Sequence, residues 1–236
     1  MCGRFVSSQS MEELAEIFAV EAVGEQLPEP SYHVHPTDAV RVVLDSAKTS
    51  ARRLEGAVWA LARPRQAELV TRPPLINVRV ETAARSFGYA LRAHRAIVPA
   101  DSYWEWRSQP GAARGRPGKT PFSIAPAAGS GPLALAGLYS WWVDPRLPED
   151  DPGRFRLTVG ILTTAPTPGL AQIHDRMPLA LAPELWDDWL DPARPGDESL
   201  LAAAVATGQA VAEALEWHEV RPFRGSDDGP ELTRPL

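Results

Sequence analysis

The sequence predicts one strand-rich domain of the α+β class. Its 236 residues, 44% of them hydrophobic, are enough for one generous core. The 24 prolines are roughly twice the usual share, and they disfavour long helices while favouring short elements joined by stiff turns. Short apolar runs separated by Pro, Gly and Asp supply enough strand for a barrel or for two packed sheets.

A short helix is predicted near the N-terminus. Ser10 is followed three residues later by Glu13, which is a capping-box pattern, and apolar residues recur behind it at helical spacing. The helix is expected over residues 11–19.

Strands are predicted where apolar and β-branched residues cluster between turn residues. They cover residues 40–44, 57–61, 95–98, 103–106, 133–139 and 155–162. Towards the C-terminus, Pro183 is placed for the first turn of a helix that carries Trp186 and Trp189. Residues 200–205 predict another helix.

Two segments, residues 111–119 and 145–153, are rich in Gly, Pro and charged residues and predict flexible surface loops. Neither divides the chain into domains, because apolar strand patterns continue on both sides. One domain is therefore expected over residues 1–224, followed by a loosely held tail over residues 225–236.

The charge of the chain limits how it contacts nucleic acid. With a net charge of −6 the protein as a whole does not attract a polyanion, so any such contact requires a local basic patch. All but two of the 24 basic residues are arginines, the side chain suited to forked phosphate contacts. A general coding preference for Arg, Ala and Pro explains the same count at least as well, so arginine content decides nothing by itself.

The only cysteine of the chain is Cys2, which excludes an internal disulfide and a cysteine-only zinc site and fits a reducing cytoplasm. No apolar stretch is long enough for a signal peptide or a bilayer span. We therefore expect a cytoplasmic protein that is processed only by removal of Met1 and makes no membrane contact, with a monomer as the default state.

Position 2 carries unusual chemistry. A methionine followed by a small residue is normally trimmed, which leaves Cys2 with a free α-amine beside its thiol. An α-amine has a pKa of about 8 against about 10.4 for lysine, so its nucleophilic neutral form is far more populated near neutral pH. The amine condenses with an aldehyde, and the thiol then closes a five-membered thiazolidine ring. The alternative is an accidental cysteine buried as a small apolar group.

Three polar clusters accompany residues 2–5 (CGRF) further along the chain. They are residues 74–82 (PLINVRVET), 98–106 (VPADSYWEW) and 173–178 (IHDRMP). These four motifs, in this order, closely resemble the SRAP family, the SOS-response-associated peptidase or abasic-site-processing proteins, over residues 2–224. A match of four separated motifs is more specific than any one short pattern.

The resemblance implies a β-barrel-like core of mostly antiparallel strands with short peripheral helices, and a positively charged groove for single-stranded DNA with Cys2 at its floor. It also implies a covalent thiazolidine crosslink to abasic sites that shields the lesion during the DNA damage response. That chemistry needs no metal and no organic cofactor. The alternatives are a peptidase that acts on its own leader through Cys2, and a DNA-binding module without chemistry.

The resemblance also assigns catalytic roles. Cys2 matches the nucleophile, and Asn77 matches an asparagine that holds the sugar or orients the amine. Glu105, between two tryptophans, matches a proton shuttle, and His174 matches the acid that protonates the sugar ring oxygen. Read without the family, Asn77 is more often a turn residue, Glu105 an exposed glutamate on a strand, and His174 a structural histidine.

Three arginines, Arg4, Arg79 and Arg176, become the expected phosphate contacts that flank the lesion. The alternative is that these side chains pair with Asp101, Glu81 or Asp175.

Two segments depart from the family pattern. Residues 32–36 (YHVHP) place His33 and His35 where relatives carry Tyr-Asn-x-x-Pro, and residues 55–59 (EGAVW) replace a Trp-Gly pair that in relatives stacks on or wedges DNA bases. Losing an aromatic platform costs about 1–3 kcal/mol per base in single-strand affinity. Trp59 is the candidate replacement, from a shifted position.

Overall fold

The fold rests on strands whose two faces are both covered. A computed structural model of the chain describes residues 3–108 and 118–236. The strands in these ranges are β1 (Phe5–Ser7), β2 (Ala22–Val23), β3 (Ser31–Val34), β4 (Ala39–Asp45), β5 (Arg52–Val58), β6 (Asn77–Arg79), β7 (Arg95–Ala100), β8 (Ser102–Ser108), β9 (Lys119–Ala125), β10 (Leu133–Val143), β11 (Phe155–Thr164), β12 (Met177–Pro178) and β13 (Glu216–Glu219). The α-helices there are α1 (Met11–Ile17), α2 (Val80–Ala93), α3 (Trp186–Leu190) and α4 (Glu198–Glu213).

Five of the strands close into a barrel in the order β11-β10-β7-β4-β5. The ring closes where β5 pairs in parallel with β11, at Val58 and Thr158. Strands β6 and β12 extend from β11, β2 extends from β5, and a second sheet has the order β13-β9-β8-β1-β3. The prediction of an α+β domain with a barrel-like core of mostly antiparallel strands is confirmed.

Alternation along the barrel strands divides the core into two layers. On β4, Val42 belongs to the cluster shared with the second sheet, whereas Val43 belongs to the cluster that the four helices cover. Both valines are fully buried. The second sheet and the helices therefore lie on opposite faces of the barrel wall. Separately, no helix in the described ranges is long and apolar enough to cross a membrane.

The predicted strands are present with shifted ends, and the largest shift is in β5. The sequence predicted residues 57–61, whereas the strand runs over Arg52–Val58. Its first half is polar and therefore shows no apolar pattern. Salt bridges neutralise its charges: Arg52 binds Asp45 at 2.9 Å. Close by, Arg53 binds Glu55 at 2.6 Å.

The helices show one confirmed boundary signal and one omission. The capping box of Ser10 and Glu13 is present at the start of α1. Helix α2 was not predicted, although its buried positions at Ala83, Phe87 and Ala90 repeat at helical spacing. Asp197 caps α4, which extends well beyond the predicted residues 200–205.

The C-terminal segment differs from the loosely held tail that was predicted. The carboxylate of Asp228 accepts hydrogen bonds from the Tyr32 amide at 2.7 Å and the Ser31 hydroxyl at 3.2 Å. Leu232 is buried against the outer face of the second sheet. The reason is that β3 is the last strand of its sheet, and Asp228 satisfies one of its edge amides.

The two predicted surface segments have different outcomes. Of residues 111–119, positions 111–117 lie outside the described part of the chain, and Lys119 is already the first residue of β9. Residues 145–153 form a mainly exposed connection between β10 and β11.

One buried charge joins the ends of two helices. Arg95 is 2% exposed, and its guanidinium donates hydrogen bonds to five backbone carbonyls. The acceptors are the carbonyls of Leu91, Arg92, Trp189, Asp191 and Arg194. These are carbonyl groups at or beyond the ends of α2 and α3, where the helix dipoles favour a cation.

Replacing Arg95 with Met is expected to lower the free energy of unfolding by at least about 3 kcal/mol, because it leaves several buried carbonyls without donors. The measurement is the urea midpoint of the folded protein. Arg92→Met, at an exposed position in the last turn of α2, is the matched control and should cost less than about 0.5 kcal/mol. Equal midpoints for the two variants would contradict this role of Arg95.

Candidate functional site

The described chain starts just after the predicted nucleophile, Cys2, which lies outside the described residues. Strand β1 lies between β3 and β8, with Phe5 opposite Tyr103. The Trp104 amide donates to the Arg4 carbonyl at 3.0 Å, which continues this register back by one residue. The antiparallel direction carries Gly3 towards Glu105.

Strand β8 buries Glu105 because both of its faces are covered. Its tryptophans point to one side, where Trp104 packs on Phe223, while Tyr103 points to the other side and into the main core. Glu105 shares the side of Tyr103 and is only 4% exposed. The interpretation as an exposed strand glutamate is therefore wrong.

The environment of Glu105 suits proton transfer. Burial raises the pKa of the Glu105 carboxyl, and the charge of His174 opposes part of that rise. A carboxyl whose pKa is moved up from its ordinary range changes its protonation closer to neutral pH, which a general acid or base requires. The structure thus brings Glu105 and His174 into one electrostatic neighbourhood, although they are far apart in sequence.

His174 lies in the loop after a 3-10 turn, and its backbone amide donates to Leu170 at 3.1 Å. Two groups contact its ring nitrogen Nδ1: the Arg176 amide at 3.1 Å and the Asp175 carboxylate at 2.9 Å. One nitrogen cannot serve both at once. Without a hydrogen, Nδ1 accepts from the amide, whereas an Nδ1 that carries a hydrogen donates to Asp175, so this nitrogen has a partner in either arrangement.

Asn77 and Arg79 lie on the short strand β6. Strand β6 runs parallel to β11, with Asn77 opposite Ile161 and Arg79 opposite Thr163. Asn77 is 9% exposed and begins the strand, so the turn interpretation is wrong, whereas Arg79 is exposed.

Arg176 is held by a carboxylate beside Arg79. Its guanidinium donates to both oxygens of Glu81, at 2.6 and 2.9 Å, and to the Thr163 carbonyl at 2.5 Å. Arg176 lowers the pKa of Glu81, and Arg79 adds to this effect. One alternative drawn from the sequence, pairing of Arg176 with Glu81, is therefore present in the structure.

Trp59 is not a platform for DNA bases. Its side chain is fully buried, its indole N–H donates to the Ile76 carbonyl at 2.9 Å, and its ring packs edge-on against Phe5 at 4.9 Å. The reason is that Trp59 follows β5 directly and turns into the core between the barrel and the second sheet. Neither face of this indole is available for stacking.

The other departure from the family pattern is packed inside the protein. His33 is 5% exposed, its Nδ1 contacts the Asp227 carbonyl at 2.8 Å, and its ring lies 4.1 Å from that of His35. Burial lowers the pKa of His33, and the charges of His35 and Arg4 act in the same direction. These histidines join β3 to the C-terminal segment.

One aromatic residue near the site was not singled out from the sequence. Trp217 on β13 is 40% exposed, and its indole abuts Gly169, five residues before His174. The available signal was a lone large aromatic in the short polar strand of residues 216–219. Within the described ranges, no group of three or more His, Cys, Asp or Glu side chains is arranged to hold a metal ion.

Comparison with known proteins gives consistent matches. The family model described as SOS response associated peptidase (SRAP) matches residues 1–223. The abasic site processing protein YedK of Escherichia coli (strain K12) is 33% identical over the full length of both chains, and the abasic site processing protein YoqW of Bacillus subtilis (strain 168) is 34% identical over 81% of each. A solved structure of a Bacteroides thetaiotaomicron protein has a TM-score of 0.74 at 21% identity, covering 98% of this chain and 99% of that one, which shows a shared fold.

Proposed function

The chain belongs to the SOS response associated peptidase (SRAP) family, and from that premise we propose that it captures abasic sites in single-stranded DNA as a covalent adduct of Cys2. The observation that carries the proposal is the buried carboxyl of Glu105, which is within electrostatic reach of His174, on the strand that pairs with the N-terminal segment. The relatives named as abasic site processing proteins support the choice of lesion.

The reaction balances with the atoms of Cys2 and the lesion alone. With Met1 removed, the α-amine adds to the C1′ aldehyde of the opened sugar, a C–N bond forms, and the former carbonyl oxygen leaves as water. The thiol then adds to the imine carbon and its proton moves to nitrogen, which closes a thiazolidine. No electrons are gained or lost, so the step needs no oxidant or reductant.

Three side chains serve these steps. His174 donates a proton to the sugar ring oxygen as the ring opens, and the contacts of its Nδ1 with the Arg176 amide and the Asp175 carboxylate orient the ring for this step. Glu105 takes a proton from the attacking amine and returns one to the departing hydroxyl. Asn77 holds a sugar hydroxyl through its side-chain amide.

Three arginines hold the strand around the lesion, and they are not equivalent. Arg79 is exposed, Arg4 is half-buried, and Arg176 shares its guanidinium with Glu81. A phosphate has to compete with Glu81 for Arg176, whereas Arg79 meets it directly. Arg79 is therefore assigned the largest share of phosphate contact.

Arg79→Ala is expected to weaken binding to single-stranded oligonucleotides and to reduce the slope of log K against log[salt] by about 0.7, the value for one lost phosphate contact. Titrations at several salt concentrations measure both quantities. Arg156→Ala is the matched control, because Arg156 is exposed near the opposite end of β11, about 23 Å from Thr163 by strand geometry. An unchanged slope for Arg79→Ala would rule out a phosphate contact by Arg79.

The direct test of the proposed function is a denaturing gel of the full chain after incubation with single-stranded oligonucleotides. One oligonucleotide carries an abasic site and the other is intact. The expected result is a heat-stable shifted band only with the lesion, and none when a tag precedes residue 2 and blocks the α-amine. Equal binding of both strands without a covalent product would indicate a binding module, and release of peptides from a general protein substrate would indicate the peptidase of the family name.

A further inference from the structure

The strands of the second sheet place Trp217 on the same face as Glu105. Antiparallel pairing sets Tyr103 opposite Ile124 and Ile124 opposite Trp217, so these three side chains form one row. Glu105 lies in the next row on that face, opposite Phe122. The Cα atoms of Glu105 and Trp217 are about 12 Å apart by strand spacing, a distance of a few nucleotides of single strand.

The indole of Trp217 also borders the loop that carries His174. A Cβ atom added at Gly169 would lie 2.7 Å from Cη2 of Trp217, so the glycine leaves room for this ring where it lies. The ring is nevertheless 40% exposed. Trp217, on the edge strand β13, therefore contacts the loop of His174 on one side and exposes aromatic surface to solvent on the other.

A cation lies on the same face, on the other side of Glu105. Alternation along β8 gives Arg107 the side of Glu105, and the Arg107 guanidinium lies 4.7 Å from the ring centre of Phe122. Arg107 is exposed at this position. On β13, exposed Glu219 shares the face of Trp217. Its negative charge repels phosphates from that strand. Charge thus directs a strand's backbone towards Arg107 and leaves a base to face Trp217.

We propose that Trp217 is a stacking platform for a nucleobase near the lesion, and that Arg107 contacts a phosphate on the far side of Glu105. This site rests on the proposed function for its ligand, a single strand of DNA. It supplies the aromatic surface that buried Trp59 does not. Stacking tolerates any base, since every base has a π-face, so the platform adds affinity without sequence preference.

The test uses a tetrahydrofuran abasic analogue, which has no aldehyde and reports only non-covalent affinity. One labelled oligonucleotide keeps all its bases around the analogue, and a second replaces the four neighbouring nucleotides on each side with base-less spacers. Trp217→Ala is expected to weaken binding of the first by roughly 5- to 150-fold and to leave binding of the second unchanged. Trp217→Phe should retain most of the affinity.

Three further variants separate stacking from folding, from general surface effects and from the phosphate contact. Trp217→Leu still covers Gly169 but has no aromatic ring, so it should bind like Trp217→Ala. Trp141→Ala is the matched control, because Trp141 is 45% exposed on β10, outside the sheet that carries Glu105, and should bind like the unaltered protein. Arg107→Ala should weaken both oligonucleotides and lower the salt slope by about 0.7.

The proposal is overturned if Trp217→Ala binds the base-bearing strand normally, or if it weakens both oligonucleotides equally. Failure of the proposed function is a separate observation, namely the absence of covalent product with an aldehyde-bearing lesion. That failure leaves the affinity measurement with the analogue interpretable, because no covalent step enters it.

Discussion

Replacing Cys2 with Ala is expected to abolish the heat-stable DNA–protein product completely while keeping a transient one. Alanine retains the α-amine and loses the thiol, so the imine forms and cannot close to a thiazolidine. An imine acidifies the neighbouring C2′ proton, and loss of that proton breaks the strand by β-elimination. The variant should therefore convert a protecting protein into one that cleaves at the lesion.

The measurement combines a heat-denatured gel with borohydride reduction, which fixes an imine as a stable amine. Cys2→Ala should give no shifted band without borohydride, a clear band with it, and shortened oligonucleotide in its absence. A preparation with a residue added before Cys2 is the control, because it lacks the reactive amine at that position and should give neither band nor cleavage. A heat-stable band from Cys2→Ala at the normal level would refute the role of the thiol.

The sequence predicted the barrel strands better than the helices that cover them. Apolar patterns locate β4, β7 and β10 because both faces of a barrel wall are buried, so their residues are apolar almost without interruption. Helix α2 begins within a polar motif and has no side-chain cap at Arg79, so neither of the usual start signals is present. The strands could therefore be predicted from the sequence, whereas the start of α2 could not.

The candidate site shows the same limit. The motifs identify Glu105 and His174, but no pattern in residues 98–106 says which face of β8 is buried. From the pattern, the two flanking tryptophans are expected to face the core and the glutamate to face water. The structure covers both faces, because β8 lies between the main core and a smaller cluster around Trp104. Burial of Glu105 is a property of the tertiary packing, and so is the burial of Trp59 in the core.

Glu105→Gln is expected to slow crosslinking by about 10²- to 10⁴-fold, the usual range for a lost general acid–base, without loss of stability. Glutamine keeps the shape and hydrogen-bonding capacity of a neutral carboxyl but transfers no proton. The rate is measured from single-turnover gels, with Glu216→Gln as the matched control, because Glu216 is exposed and points to the opposite face of the second sheet. A rate for Glu105→Gln equal to that of the control would exclude proton transfer by Glu105.

The difference in stability between this variant and the unaltered protein depends on pH in a direction that the burial of Glu105 fixes. Burial raises the pKa of this carboxyl in the folded protein, so the folded state binds its proton more tightly than the unfolded chain does. Its contribution to stability is fully present below the unfolded pKa of about 4.3 and is lost as the pH rises through the raised folded value. Glutamine has no proton to lose, so Glu105→Gln should gain stability relative to the unaltered protein across that window. Urea midpoints at a series of pH values measure the difference, and a difference that shrinks with rising pH would mean that the charged carboxylate is stabilised where it lies.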